Sequence, residues 1–407
     1  MSPPGISREW VGLAALFLLI LMTFVRGTLS QQPSGEPIVS PEVSYDHRVT
    51  FRFGAPYAKA VSVRMEGYGQ PLGMTKDAGG VWNVTTDPLA PDYYGYSILM
   101  DGVALIDPAN HVIKPNLLGP ASEVYVAGSA TLPWELNDVS HGVIHHHFYH
   151  SRIVGDDRDF YVYTPPGYDP SSPATYPVLY LLHGFSDDAS AWTAVGRANV
   201  ILDNLIAQRK AKPMLIVMPL GYGAPEILEG GWAGIRRNDQ RLHDLFRKNQ
   251  EQFGEALLDE VIPMVEHSYR VKADRDSRAL AGLSMGGSET LFVGLNNLDR
   301  FSYLGAFSAG GGRTDYAATY PRLDSRANAR LRVFWMSVGK SDGLLVPNEK
   351  FHDWLGGKGI RVEWVESPGG HWWPVWRRNL SDLLPQLFQQ QRAALSDFWS
   401  QKAQEQR

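Results

Sequence analysis

From Arg48 to about Gly128, apolar and polar residues alternate in short runs: Val49-Thr50-Phe51-Arg52-Phe53, Ala60 to Met65, Val81 to Val84, Tyr94 to Met100 and Glu123 to Val126. A period of two places alternate side chains on one buried face, so these runs predict half-buried strands separated by turn residues. Five such strands in about eighty residues predict a small all-β sandwich of immunoglobulin type.

Beyond a short linker the pattern changes. Val143 to Tyr163 reads as further strands, and then apolar runs alternate with helical periodicity. The buried-strand runs are Pro177 to Leu182, Met214 to Met218, Ala279 to Gly282, Tyr303 to Ser308, Arg332 to Val338 and Arg361 to Val365. Helical patterns lie between them at Asn249 to His267, Gly286 to Leu298 and Pro347 to Leu355. Such alternation predicts an α/β domain, a mostly parallel sheet flanked by helices. Residues 383–407 are Gln-rich and amphipathic, and predict a helix that packs and then frays.

The amino terminus differs from both. Val11 to Val25 is apolar apart from Gly12 and Thr23, lies between Arg8 and Arg26, and is short for a membrane span of about 20 residues. With small residues at Thr28 and Ser30 it predicts a secretory signal peptide over residues 1–30; an uncleaved anchor is the alternative. Both put the folded part outside the cytoplasm, in a secreted or periplasmic location, without stable membrane insertion once the leader is cut. Residues 31–45 are rich in Pro, Ser, Gln and Gly and predict a flexible lead-in. The expected organisation is therefore leader, lead-in, a β-sandwich over 46–128, and an α/β domain over 141–400.

Composition narrows the chemistry. The chain has 407 residues and a net charge of −5, so no basic field attracts nucleic acid. It contains no cysteine, which excludes disulfides, cysteine-ligated metal and a thiol nucleophile. A covalent mechanism needs another residue. Oligomeric state is not legible.

The pattern G-x-S-x-G occurs twice, at Gly282-Leu283-Ser284-Met285-Gly286 and Gly339-Lys340-Ser341-Asp342-Gly343. A nucleophile elbow requires a strand, a tight turn that forces the serine into strained geometry, and a helix that starts at once. The apolar run before Ser284 and the helical pattern from Gly286 meet all three. After Ser341, Leu344 to Pro347 intervenes before any helix, and a triad needs partners downstream.

In the chain order Ser, acid, His, only two histidines follow Ser284. His352 sits within a helical pattern, where a packed or solvated histidine is expected. His371 lies just past the last strand and is the candidate base. Asp342 ends the fifth strand run and is the favoured acid. Asp315, Asp324, Glu349 and Asp353 lie in loops or helices, Glu363 lies within a strand, and Glu366 is close in sequence to His371. The oxyanion hole needs one N–H from the residue after the nucleophile, Met285, and one from an earlier strand-to-helix loop, Phe185 of Leu181-Leu182-His183-Gly184-Phe185.

Taken together, Val162-Tyr163-Thr164-Pro165-Pro166-Gly167-Tyr168, Tyr180 to Gly184, Arg278 to Gly287, Gly339 to Asp342 and Gly369 to Leu380 resemble the esterase D-like branch of α/β-hydrolases that includes carbohydrate esterase family one. That branch holds feruloyl, acetylxylan and enterochelin esterases and mycolyltransferases. The resemblance implies an α/β-hydrolase fold, no cofactor, and Ser284, Asp342 and His371 as nucleophile, acid and base. Trp82, Tyr94-Gly95-Tyr96, Asp101-Gly102 and Asp107-Pro108-Ala109-Asn110 resemble early-set immunoglobulin-like domains related to family-48 carbohydrate-binding modules. Sheet-core Trp and Tyr carry the same signature as glycan-stacking ones, and core packing is the favoured reading for Trp82 and its neighbours. Trp372, Trp373 and Trp376 flank the proposed base and are candidate substrate contacts on the catalytic loop.

The leading expectation is a serine esterase acting on feruloyl or acetyl esters of plant polysaccharide. A siderophore esterase or acyltransferase with the same triad is the second reading, and a glycan-binding scaffold the third. Two other features invite chemistry. His145 and His147 share one face of a strand, so a metal pair is conceivable, but triad hydrolysis needs none and no metal site is assigned. Arg236, Arg237 and Arg241 are read as a solvated face.

Overall fold

The computed structural model describes residues 37–128, 131–237, 239–310 and 315–389. The expected leader, most of the lead-in and the carboxy-terminal stretch beyond 389 lie outside the described residues.

The amino-terminal region is all β, in two sheets. One runs in the order β1 (Glu42–Val43), β2 (Val49–Gly54), β6 (Val81–Thr85), β5 (Thr75–Lys76). The other runs β4 (Leu72–Gly73), β3 (Val61–Met65), β7 (Asp92–Met100), β10 (Ala121–Val126), β9 (Ile113–Lys114), with β8 (Val103–Leu105) paired to β7. The alternation seen in the sequence becomes a strict burial alternation: Val49, Phe51 and Phe53 are buried and Thr50 and Arg52 half-buried. These side chains meet Val61, Val63, Tyr96, Ile98 and Val124 in one core. Trp82, Tyr94 and Tyr96 are all under 9% exposed, so they join the sheets and do not present flat faces for a glycan. The ordered sheet begins inside the expected flexible lead-in. Ser40 is buried and donates to Asp107, and Glu42 pairs with Thr50.

The second region is built on an eight-stranded sheet in the order β11 (Val143–His150), β12 (Asp157–Thr164), β14 (Leu215–Pro219), β13 (Val178–Leu182), β15 (Arg278–Leu283), β16 (Tyr303–Phe307), β17 (Val333–Gly339), β18 (Glu363–Ser367). The first two strands pair antiparallel and the other six run parallel. Its central strands are apolar throughout because helices cover both faces. Leu179, Leu181, Ala279 and Ala281 pack on one face, Val178, Tyr180, Leu182 and Leu280 on the other. The flanking helices include α1 (Ala198–Ala207), α2 (Gln240–Ala256), α3 (Met285–Asn296), α4 (Leu345–Gly357) and α5 (Trp373–Leu383). The fold is thus the expected α/β-hydrolase arrangement preceded by a β region.

The two regions do not stand apart: the described residues from Ser40 onward form one compact unit. A buried ion pair joins them. Arg377 of α5, with no exposed side-chain area, donates to Asp92 of β7 at 2.8 and 3.1 Å and to the Val195 carbonyl at 2.8 Å. Breaking such a pair leaves an uncompensated buried charge, at a cost of about 3–5 kcal/mol. The expected linker is also packed. Trp134 is buried in the main core, and Asn204 of α1 donates to the Pro133 and Glu135 carbonyls. No helix among the described residues is long and apolar enough to cross a membrane.

Candidate active site

Ser284 occupies the turn between β15 and α3 with φ +51° and ψ −113°. A non-glycine residue adopts a positive φ only when its surroundings impose it. Here the Ser284 N–H donates to Phe307 O at 2.8 Å, and Gly310 N–H donates to Ser284 O at 2.9 Å. The flanking glycines are sterically obligatory. A Cβ on Gly282 would stand 2.4 Å from the Gly286 carbonyl oxygen, and one on Gly286 would stand 2.4 Å from that of His183.

His371 follows β18 and faces the serine, its Nε2 2.9 Å from Ser284 Oγ. Its Nδ1 lies 2.9 and 3.1 Å from the two carboxylate oxygens of Asp342, which follows β17. The Asp342 side chain is inaccessible to solvent, and Leu344 N–H donates to it at 2.8 Å. Burial pushes its carboxyl up, but hydrogen bonding and charge from His371, with help from Leu344 and Ser308, outweigh that and hold it below the ordinary value. The acid and base loops touch through backbone: Ser341 N–H donates to Gly369 O at 2.9 Å, and a Cβ on Gly339 would stand 2.5 Å from the same oxygen. Trp376 packs edge-on to His371 at 4.9 Å and donates to Ser308. The strand ends therefore bring together the three residues expected from sequence. His352, on α4, is elsewhere, tilted against Trp364 of β18.

The loop after β13 runs beside the serine. A Cβ on Gly184 would lie 3.3 Å from Ser284 Cβ. Among the described residues, neither the Phe185 nor the Met285 amide donates to a backbone acceptor. His183 anchors the loop: Gly221 N–H donates to its Nε2 at 2.8 Å, so Nδ1 carries the proton and donates to Gly184 O at 2.8 Å. Burial depresses its pKa to about 4, which keeps the ring neutral.

Polar residues beneath and beside this loop were not singled out by sequence. Glu289 of α3 is fully buried and accepts from Asn249 of α2 at 2.7 Å, and burial pushes its carboxyl well above the ordinary value. Asp187 is buried at the cavity edge, and burial raises its carboxyl to about 7. The available signal was polar residues at positions where α2 and α3 otherwise turn apolar side chains inward.

A cavity of about 1290 Å³ opens over Ser284 and His371. Aromatic walls come from Phe185, Trp232, Phe246, Tyr316, Phe351 and Trp376, and Arg64, Lys114 and Asn116 reach it from the β region. The tryptophan cluster is placed differently from expectation. The chain turns helical at Trp373, so the segment is not one catalytic loop; Trp373 and Trp376 are core residues under 6% exposed that reach the cavity wall, while Trp372 packs over Gly370 and is not on that wall. The β11 histidines have separate partners: His145 with Thr164, His146 with Asp159 and His147 with Tyr269. Arg236, Arg237 and Arg241 are exposed.

The comparisons point the same way as this geometry. A protein-family model described as "Putative esterase" matches residues 151–387. The chain is 30% identical over 372 residues to an endo-1,4-beta-xylanase/feruloyl esterase of Xylanibacter ruminicola, covering 90% of this chain and 47% of the relative, so it spans about half that protein's length. Among solved structures, a CE1 ferulic acid esterase of Anaeromyces mucronatus matches 62% of this chain and 93% of its own with a TM-score of 0.54 and 22% identity. An enterobactin esterase of Shigella flexneri matches 84% of this chain and 92% of its own with a TM-score of 0.61 and 20% identity. At these identities the structures speak for the fold alone.

Proposed function

The chain belongs to the esterase family matched over residues 151–387, and from that premise we propose that it is a serine carboxylic ester hydrolase working through an acyl-enzyme on Ser284. The observation that carries the reading is the continuous hydrogen-bonded line Ser284 to His371 to Asp342 at the floor of the large cavity. In this mechanism His371 Nε2 takes the serine proton as Oγ attacks the ester carbon, and the amides of Phe185 and Met285 receive the developing oxyanion. The tetrahedral intermediate collapses, the C–O bond to the alcohol breaks, and His371 returns the proton to the leaving oxygen. Water then repeats the sequence on the acyl-enzyme and frees the acid. Asp342 stays ionised and holds the imidazole through Nδ1–H.

The proposed substrates are feruloyl or acetyl esters of plant polysaccharide. The aromatic cavity walls support an aryl acyl group, and the feruloyl esterase activity named for the Xylanibacter relative agrees with it. We also read residues 46–128 as an immunoglobulin-like sandwich of the kind related to family-48 carbohydrate-binding modules, and the protein as exported. Hydrolysis rates on methyl ferulate, naphthyl acetate and an enterochelin-like ester test the reading. The expected result is highest kcat/KM on methyl ferulate, lowered roughly 10⁴-fold or more in Ser284→Ala. Preference for the enterochelin-like ester would move the assignment to siderophore hydrolysis, and undiminished activity in Ser284→Ala would overturn it.

A further inference from the structure

We propose that the amino-terminal β region is part of the ester-cleaving machinery, with Asn116 as a positioning residue for the loop that carries the Phe185 amide. This rests on the reading of Ser284 and Phe185 given above. The loop is one that the chain does not hold unaided: Ser186, directly after the oxyanion donor, has φ +72°. Its own region supplies part of the restraint, since Tyr222 OH donates to Asp187 O at 2.9 Å and His183 donates to Gly184 O.

The rest comes from the β region. Leu117 N–H donates to Ser186 O at 2.7 Å. The Asn116 side-chain amide donates to Ser186 Oγ at 2.8 Å and to Asp187 Oδ1 at 3.1 Å. An asparagine amide has two N–H donors and one carbonyl acceptor. Both donors go to the loop, and the carbonyl accepts from Leu118 N–H at 3.1 Å, which fixes the side chain on its own turn. Asn116 in turn follows β9, which is paired to β10 in the core sheet of the β region. Hydrogen bonds from Asn116 and Leu117 therefore tie Ser186, the residue beside Phe185, to a turn that is covalently continuous with β9 of that sheet. Asn116 also lies on the cavity wall with Lys114 and Glu66, which pair at 2.6 Å, so the β region closes one side of the space over Ser284.

The consequence is catalytic. Loosening the loop leaves the apolar pocket intact but misplaces the oxyanion donor, and a displacement of about 1 Å can cost about 100-fold in rate. Asn116→Ala in the full chain is expected to lower kcat on naphthyl acetate about 10- to 100-fold, with KM within about threefold, when rates are normalised to sites titrated with a fluorophosphonate. That normalisation removes any loss due only to unfolded protein. Ser186→Ala removes the facing hydroxyl and should lower kcat in the same way. The double variant should be no slower than the slower single one, because the bond that Ser186→Ala removes is already lost in Asn116→Ala. Asn83→Ala, on an exposed position of β6, is the control for general damage to the β region. Unchanged kcat per titrated site in Asn116→Ala, or losses that multiply in the double variant, would overturn the proposal. If Asn116→Ala does not fold, Ser186→Ala decides alone by the same criterion. Failure of Ser284 to take the label would instead break the underlying assignment.

Discussion

The chain writes the same five-residue pattern twice, and the fold uses the two copies for different purposes. At Gly282 to Gly286 the turn is so tight that both glycines are obligatory and the serine is forced to φ +51°. At Gly339 to Gly343 only the first glycine is confined, by the backbone of the His371 loop, while a Cβ on Gly343 would meet nothing within 4 Å. Ser341 is exposed and is not among the residues with a left-handed φ. The second copy instead supplies Asp342, buried and bonded to the base. What separates the two is the neighbouring chain: a helix starting immediately in one case, a second loop lying across the turn in the other.

Breaking the first copy should have the largest effect. Ser284→Ala is expected to lower kcat on an aryl ester by roughly 10⁴- to 10⁶-fold with the circular dichroism spectrum unchanged. Asp342→Asn keeps the shape of the second copy but no longer holds the imidazole in its working tautomer, and should cost roughly 10⁴-fold in kcat. Gly286→Ala forces a Cβ into the His183 carbonyl and should lower stability by about 1–3 kcal/mol in urea unfolding, whereas Gly343→Ala should change it by less than about 0.5 kcal/mol. Ser341→Ala marks the lower limit, with kcat/KM within about twofold of the native enzyme, since an exposed turn serine away from such features contributes little.

One acid beyond the first copy and one within the second are shifted in opposite directions. Glu289, on the helix begun by the first, keeps its proton in the folded state to a higher pH than in the unfolded chain. Above about pH 4.3 the unfolded chain releases that proton and the native one does not, so this group makes stability fall as pH rises. Asp342 is shifted the other way. Its contribution is present above about pH 4 and is lost as pH falls through its lowered folded value. Urea unfolding across pH 3 to 8 should therefore show Glu289→Gln flattening the decline toward high pH and Asp342→Asn flattening the decline toward low pH. Identical pH profiles for the two variants would contradict the assignment.

Much of this was legible in the chain. Periodicity located the longer strands of both regions to within a few residues, because β2, β13 and β15 obey burial rules that repeat along the chain, while β1, β4, β5, β8 and β9, two or three residues each, are too short to carry a period. The triad was readable because each member sits at a strand end and chain order restricts the choice. What was not legible depends on residues distant in sequence. Asn116 meets Ser186 across seventy positions, and Arg377 meets Asp92 across 285. Neither contact leaves a local pattern. The tryptophans divide for a related reason: all three flank the base in sequence, but helix α5 carries Trp373 and Trp376 to the cavity wall from within the core, while Trp372, before the helix, packs over Gly370 away from it.

The central claim is that Ser284, and not its counterpart in the second pentapeptide, is the nucleophile. Treating the native protein with a fluorophosphonate, followed by intact mass and peptide mapping, tests it most directly. One phosphonyl group on the peptide containing Ser284, with parallel loss of esterase activity, is the predicted result. Label on Ser341, or complete inactivation with Ser284 unmodified, would contradict it.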